Sequence, residues 1–76
     1  MSKVDIYTSD TCHYCHLAKD FLDKNNVDYT EHSVTKDIEA RKILMKKGVM
    51  SVPYIVIDGD EIQGFDEDFL KQKLNV

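Results

Sequence analysis

The chain's only two cysteines stand three residues apart, in Cys12-His13-Tyr14-Cys15, between an alternating segment and an amphipathic one. That placement limits the fold more than any other feature. Thiols at Cys-X-X-Cys spacing can close a disulfide without moving the backbone far. At a helix start, free N–H groups and the positive dipole end favour a thiolate by about 0.3–1 kcal/mol, or ~2 in a sheltered site. Hydrogen bonds from the Tyr14 and Cys15 amides and the Cys15 thiol would add to this. Cys12, less enclosed, is therefore expected to be the nucleophile, and Cys15, one turn inside, the resolving thiol. With Ser51-Val52-Pro53 downstream, the motif points to thiol–disulfide exchange.

The flanking patterns give the elements. Lys3-Val4-Asp5-Ile6-Tyr7 alternates polar and apolar, as a strand with one buried face does. Thr8 to Thr11 reads as a loop, with Thr11 placed to cap a helix. Tyr14, Leu17, Ala18, Phe21 and Leu22 then recur at helical spacing as a stripe against a sheet, and Asn25-Asn26 ends the helix. Val27 to Val34 reads as a second strand, rich in Val, Tyr and Thr. A second helix is expected from about Asp37 to Lys47, with Ala40, Ile43 and Leu44 inward and Gly48 as its stop. Tyr54 to Ile57 and Glu61 to Gln63 form a hairpin across Asp58-Gly59-Asp60. A last helix follows Asp66 as N-cap, with Phe65 and Leu70 at the hydrophobic-staple positions. The order is β-α-β-α-β-β-α, the first two strands parallel through a right-handed crossover. Strand order does not follow from the pattern.

Seventy-six residues fit one small domain, 1–76, with no repeat, linker or low-complexity tract. A net charge of −4 argues against nucleic acid or an anionic membrane as partner. Met1 to Asp5 carries no apolar signal segment, and the longest apolar stretch, Val52 to Ile57, cannot span a bilayer. Two cysteines are too few for a secreted disulfide scaffold, so a cytoplasmic protein is expected. His13, beside Cys12, would favour the thiolate if charged and do little if neutral. His16 and His32 read as surface residues. Tyr14 fits either the apolar stripe or the rim of the site. Pro53 opens a strand where a ladder donor is expendable, and on that pattern alone a trans bond is expected.

Taken together, Ile6-Tyr7-Thr8, Thr11-Cys12-His13-Tyr14-Cys15, Ser51-Val52-Pro53 and Gly64-Phe65-Asp66 resemble a bacterial dithiol glutaredoxin, in order and over essentially the whole chain. The resemblance implies a thioredoxin fold, α/β, with a four-stranded mixed sheet flanked by three helices. It implies a cis Val52-Pro53 bond, against the expectation from pattern alone. It implies glutathione as reductant, disulfide-containing or glutathionylated proteins as substrates, a monomer, and no tightly bound cofactor. Tyr14, Val52, Pro53, Gly64, Phe65 and Asp66 would line the glutathione groove. Val52 would pair its backbone with the tripeptide's cysteine, and the turn at Gly64-Phe65-Asp66 would hold the γ-glutamyl carboxylate at a helix N-terminus. The chain departs from the family in having His13 where proline is usual, Ser9 where lysine is usual and Ser51 for a frequent threonine. Gln63-Gly64 replaces a frequent Gly-Gly, and Val49 replaces a basic residue, leaving Lys46 and Lys47 to meet the glycyl carboxylate. The chain is similar too to the glutaredoxin-like hydrogen donors of ribonucleotide reductase, which take electrons from thioredoxin reductase.

Other classes compete for the same residues. Cys12-His13-Tyr14-Cys15-His16 satisfies the c-type haem attachment pattern, with Met45 or Met50 opposite His16, yet Tyr54 to Ile57 and the hairpin suit no small all-helical cytochrome. Zinc on the cysteines with His13, His16 or His32 is a further reading. So is an iron–sulfur cluster shared between subunits with glutathione. Against a closed zinc site, one helix does not easily offer four ligands tetrahedrally, and no metal ligand is assigned.

Overall fold

The computed structural model describes residues 3–49 and 51–75. Seven elements follow the expected order: β1 (Val4–Thr8), α1 (His13–Lys24), β2 (Thr30–Ser33), α2 (Ile38–Lys47), β3 (Tyr54–Ile57), β4 (Asp60–Gln63) and α3 (Glu67–Leu74). The strands form one mixed sheet in the order β2-β1-β3-β4. β1 runs parallel to β2, with Tyr7 opposite His32, and antiparallel to β3, with Tyr7 opposite Tyr54. β3 turns into β4 through Asp58 and Gly59, both at positive φ (50° and 93°), which is the two-residue turn that matches strand twist.

Each face of the sheet has its own apolar cluster. Val4, Ile6, Ile55 and Ile57 meet Ala18, Phe21 and Leu22 of α1 and Leu70 of α3 on one side. Tyr7 and Tyr54 meet Ala40 and Leu44 of α2, together with Val49, on the other. Strands covered on both faces explain why Tyr7 and Tyr54 are buried although they break the inward alternation. The last helix packs as the staple requires: Phe65 joins the cluster that holds Leu70, its ring edge-on to Phe21 at 6.1 Å.

Two expectations are corrected, and one left open narrows. β2 is shorter than Val27 to Val34, because Val27 still belongs to the end of α1. The Val27 amide donates to Leu22 O (2.9 Å) and the Asn26 amide to Asp23 O (3.1 Å), with Asn26 at φ 57°, a Schellman closure built on asparagine. Ile43 is 40% exposed instead of inward, because α2 meets the sheet through Ala40 and Leu44 on one narrow edge. Tyr14 is 62% exposed and so does not join the buried stripe of α1. α2 closes at Gly48 (φ 74°), where the Val49 amide donates to Leu44 O.

Candidate active site

Cys12 and Cys15 meet where the sheet's β1 end passes into α1. The N-cap is Cys12 itself and not Thr11: with φ −89° and ψ 111° it stands outside the helix, and its Sγ accepts the Cys15 amide hydrogen at 3.1 Å. Sulfur thus takes the position a serine or aspartate oxygen usually fills. The Cys12 amide in turn donates to Ser9 O (3.2 Å), which fixes the loop before the helix. The two cysteines are joined as a disulfide, with Cα atoms 5.2 Å apart. Their surroundings differ. Cys15 is 1% exposed, while Cys12 is half-buried and reaches the surface.

Val52-Pro53 is cis, which corrects the reading from strand pattern alone and agrees with the resemblance. Val52 O lies 3.6 Å from Cys12 Sγ. Pro53 is fully buried beneath it. The Gly64 amide donates to Pro53 O (2.7 Å) and Ser51 Oγ donates to Gln63 Oε1 (3.4 Å). These bonds bring Gly64, Phe65 and Asp66 beside Val52 and Pro53. The Asp66 carboxylate already caps α3, accepting the Phe69 amide at 3.2 Å, and Glu67 and Asp68 follow it in the first turn. Phe65, half-buried, packs its ring against the core cluster.

Of the cationic candidates, Lys47 is engaged elsewhere: its ammonium lies 3.1 Å from Glu61 Oε1. Val49 is 9% exposed within the α2-side cluster and presents no polar group to the site. Ser9 lines a cavity of about 440 Å³ beside the dithiol, with Asp10, Thr11, His13 and Lys19. His13 is exposed and stacks edge-on with Tyr14 at 5.8 Å. His16 stands out in solvent, 4.0 Å from Asp20. His32, read as a surface residue, is instead half-buried: its ring lies on Tyr7 at 4.7 Å and its Nε2 is 3.0 Å from Asp5 Oδ1. Among the described residues no three His, Cys, Asp or Glu side chains are grouped as metal ligands. Met50 lies outside the described residues.

Two networks were not read from the sequence. Thr8, 2% exposed, donates its hydroxyl to Glu31 Oε2 (2.7 Å), which also takes Lys19 Nζ (2.9 Å). These two bonds, that from Thr8 foremost, hold the Glu31 carboxyl below its usual range. The inward phase Val4, Ile6, Thr8 carried the signal for Thr8. On the opposite face the Tyr54 hydroxyl donates to Glu61, and burial with that carboxylate raises the phenol to about 12. Glu61, its carboxyl lowered by the Tyr54 hydroxyl first and Lys47 second, joins both ends of the segment that carries Val52 and Pro53.

Comparison with known proteins places this arrangement. The glutaredoxin family model matches residues 4–62. Glutaredoxin 3 of Escherichia coli (strain K12) is 38% identical over 68 residues, covering 88% of this chain and 82% of its own. The crystal structure of a variant of the thioredoxin-like protein BC3987 superposes with a TM-score of 0.91 at 40% identity, covering 100% of this chain and 99% of that one. The glutaredoxin-like protein NrdH-redoxin from Escherichia coli, a protein with a thioredoxin-like activity profile, shares the fold with a TM-score of 0.85 at 24% identity, covering 92% of each chain.

Proposed function

The chain belongs to the glutaredoxin family and is a thiol–disulfide oxidoreductase, and from that premise we propose that Cys12 attacks substrate disulfides and glutathione restores the dithiol. The contrast between the two sulfurs carries this reading: Cys12 reaches the surface and accepts an amide hydrogen bond, whereas Cys15 is 1% exposed. The Cys12 thiolate attacks one sulfur of the substrate, whose S–S bond breaks and whose leaving thiolate takes a proton. Cys15, deprotonated, then attacks Cys12 Sγ, releasing the second substrate thiol and leaving the Cys12–Cys15 disulfide. One glutathione thiolate reopens that disulfide at Cys12, and a second removes the first as glutathione disulfide. A glutathionylated protein needs only the mixed disulfide at Cys12.

Glutathione would lie along Tyr14, Val52 and Pro53, pairing with the Val52 backbone 3.6 Å from Cys12 Sγ. Its γ-glutamyl end would reach Gly64, Phe65 and Asp66. Since the Asp66 carboxylate caps α3 and two further acids follow it, the turn suits the γ-glutamyl ammonium better than its carboxylate. The second reading, reduction by thioredoxin reductase and supply of electrons to ribonucleotide reductase, is favoured by one observation. No cation stands at position 9 or 49, and Lys47 is paired with Glu61.

Turnover with glutathione and glutathione reductase, set against turnover with thioredoxin reductase alone, decides between the two. The proposal expects the first to be faster, and expects Ser9→Lys to lower the apparent KM for glutathione about two- to fivefold at low salt. Turnover only with thioredoxin reductase overturns it. Cys12→Ser is expected to abolish exchange. Cys15→Ser is expected to stop reduction of protein disulfides while retaining deglutathionylation.

A further inference from the structure

The loop that carries Val52 has a second side. Ser51 and Val52 form one wall of a groove of about 400 Å³, whose other walls are Val34, Leu44, Met45 and Val49, with Arg41 at its rim. The groove is apolar and open. Met45 is 69% exposed although it lies on the same helix turn as buried Leu44. Val52, a wall of the groove, has its carbonyl oxygen 3.6 Å from Cys12 Sγ, so the groove borders the surroundings of the sulfur that exchanges. Val52 also precedes the first ladder pair of β3, Tyr54 with Gln63, so its peptide groups lie outside the sheet and can meet an extended chain.

Charge separates this face from the rest of the molecule. Residues 36–47 hold five of the chain's ten cations and two of its fourteen acids, a local +3 in a chain of −4. Two of those cations are tied down, Lys42 near Glu39 (3.9 Å) and Lys47 near Glu61 (3.1 Å). Arg41 and Lys46 make no ion pair among the described residues, so their charge faces outward. An apolar groove with Arg41 at its edge, on a helix that carries a local excess of positive charge, is complementary to a chain that carries acids beside an apolar residue.

We infer that this groove docks the polypeptide of a protein substrate beside its disulfide, and that it selects segments in which an apolar side chain is flanked by Asp or Glu. The inference rests on the thiol-exchange reading above, with Cys12 as the exposed sulfur. It adds a specificity site whose occupant is a protein segment and whose determinants are Arg41 and Met45.

Three synthetic peptides, each closed by one internal disulfide, test it: one with leucine and two aspartates beside the bridge, one with leucine and two lysines, one with serine and two aspartates. Each is mixed with excess pre-reduced protein and followed through a single turnover, so that no external reductant enters. The aspartate–leucine peptide is expected to react about five- to tenfold faster than the lysine one at low salt, a gap that narrows at 0.5 M salt. Arg41→Glu should reverse the preference, and Met45→Ser should remove about threefold of the advantage of leucine over serine. Both side chains are exposed, so both variants should fold. Hydroxyethyl disulfide, small and neutral, should react in both variants within about twofold of the wild-type rate. Equal rates for the charged peptides, or an unchanged preference in Arg41→Glu, overturn the inference. So does an Arg41→Glu variant that slows only recycling by glutathione, which would assign the groove to the tripeptide. A wild-type protein that leaves even hydroxyethyl disulfide intact overturns the thiol-exchange reading, and the inference with it.

Discussion

Alkaline pH should destabilise the disulfide form of this protein through one side chain, Tyr54. The residue is 2% exposed, packs its ring on Tyr7 at 5.6 Å and donates its hydroxyl to Glu61. Burial first, and the Glu61 carboxylate second, push the phenol from its usual 10.0 up to about 12. Between those values the unfolded chain gives up the proton and the folded one keeps it. The contribution is therefore intact below pH 10 and is lost as pH rises toward 12. Two pH units at ~1.36 kcal/mol each amount to about 2–3 kcal/mol, a large part of the stability of a domain this small. Tyr7 and Tyr29 are raised too, with burial the leading cause in both, so they act in the same direction. Urea melts of the wild type and Tyr54→Phe, in steps from pH 9 to 12, isolate the term, because phenylalanine cannot ionise. The variant should lose about 2 kcal/mol less than the wild type across that window. Glu61→Gln should recover only the smaller share, since burial is the larger cause. Identical pH dependence in wild type and Tyr54→Phe would refute the argument, for it would mean that water reaches the hydroxyl.

Leu22→Ala, at a position 0% exposed in the cluster between α1 and the sheet, should cost about 2–5 kcal/mol in a urea melt. Asp66→Ala removes the cap on the Phe69 amide and should cost about 1 kcal/mol, seen as a Tm lower by roughly 4–8 °C. Glu31, held below the usual carboxyl range by Thr8 and Lys19, stabilises the fold above about pH 4.5, and that contribution disappears as pH falls through its lowered value. Glu31→Gln should therefore lower stability at pH 7 and flatten the acid limb below pH 4.5, as read by melts from pH 2 to 7.

Local pattern accounts for much of the architecture. The Cys12 to Cys15 spacing, the alternation over Lys3 to Tyr7, the stop at Gly48 and the Asp58-Gly59 turn each act through neighbours in sequence, and each is in place. Oxygen side chains dominate helix caps, which points to Thr11 for α1. A sulfur acceptor at Cys12 follows only from the backbone angles the loop adopts. His32 reads as solvated because strand polarity says nothing about the neighbouring strand, and the parallel register that sets it opposite Tyr7 and near Asp5 comes from tertiary pairing. The Tyr54–Glu61–Lys47 group joins a helix end to an edge strand, a distance no periodicity spans. Ile43 and Tyr14 share a helical phase with buried residues, yet the sheet is too narrow and too short to cover them.

The account turns on the inequality of two sulfurs, and a brief alkylation pulse measures it directly. Fully reduced protein, treated with iodoacetamide at pH 7 for a time that modifies less than one thiol per chain and then digested, reports the label on each cysteine by mass spectrometry. The account predicts label on Cys12 with Cys15 nearly unmodified, because Cys12 sits at the surface as the cap of α1 and Cys15 is 1% exposed beneath it. Equal labelling, or label on Cys15 first, would contradict it.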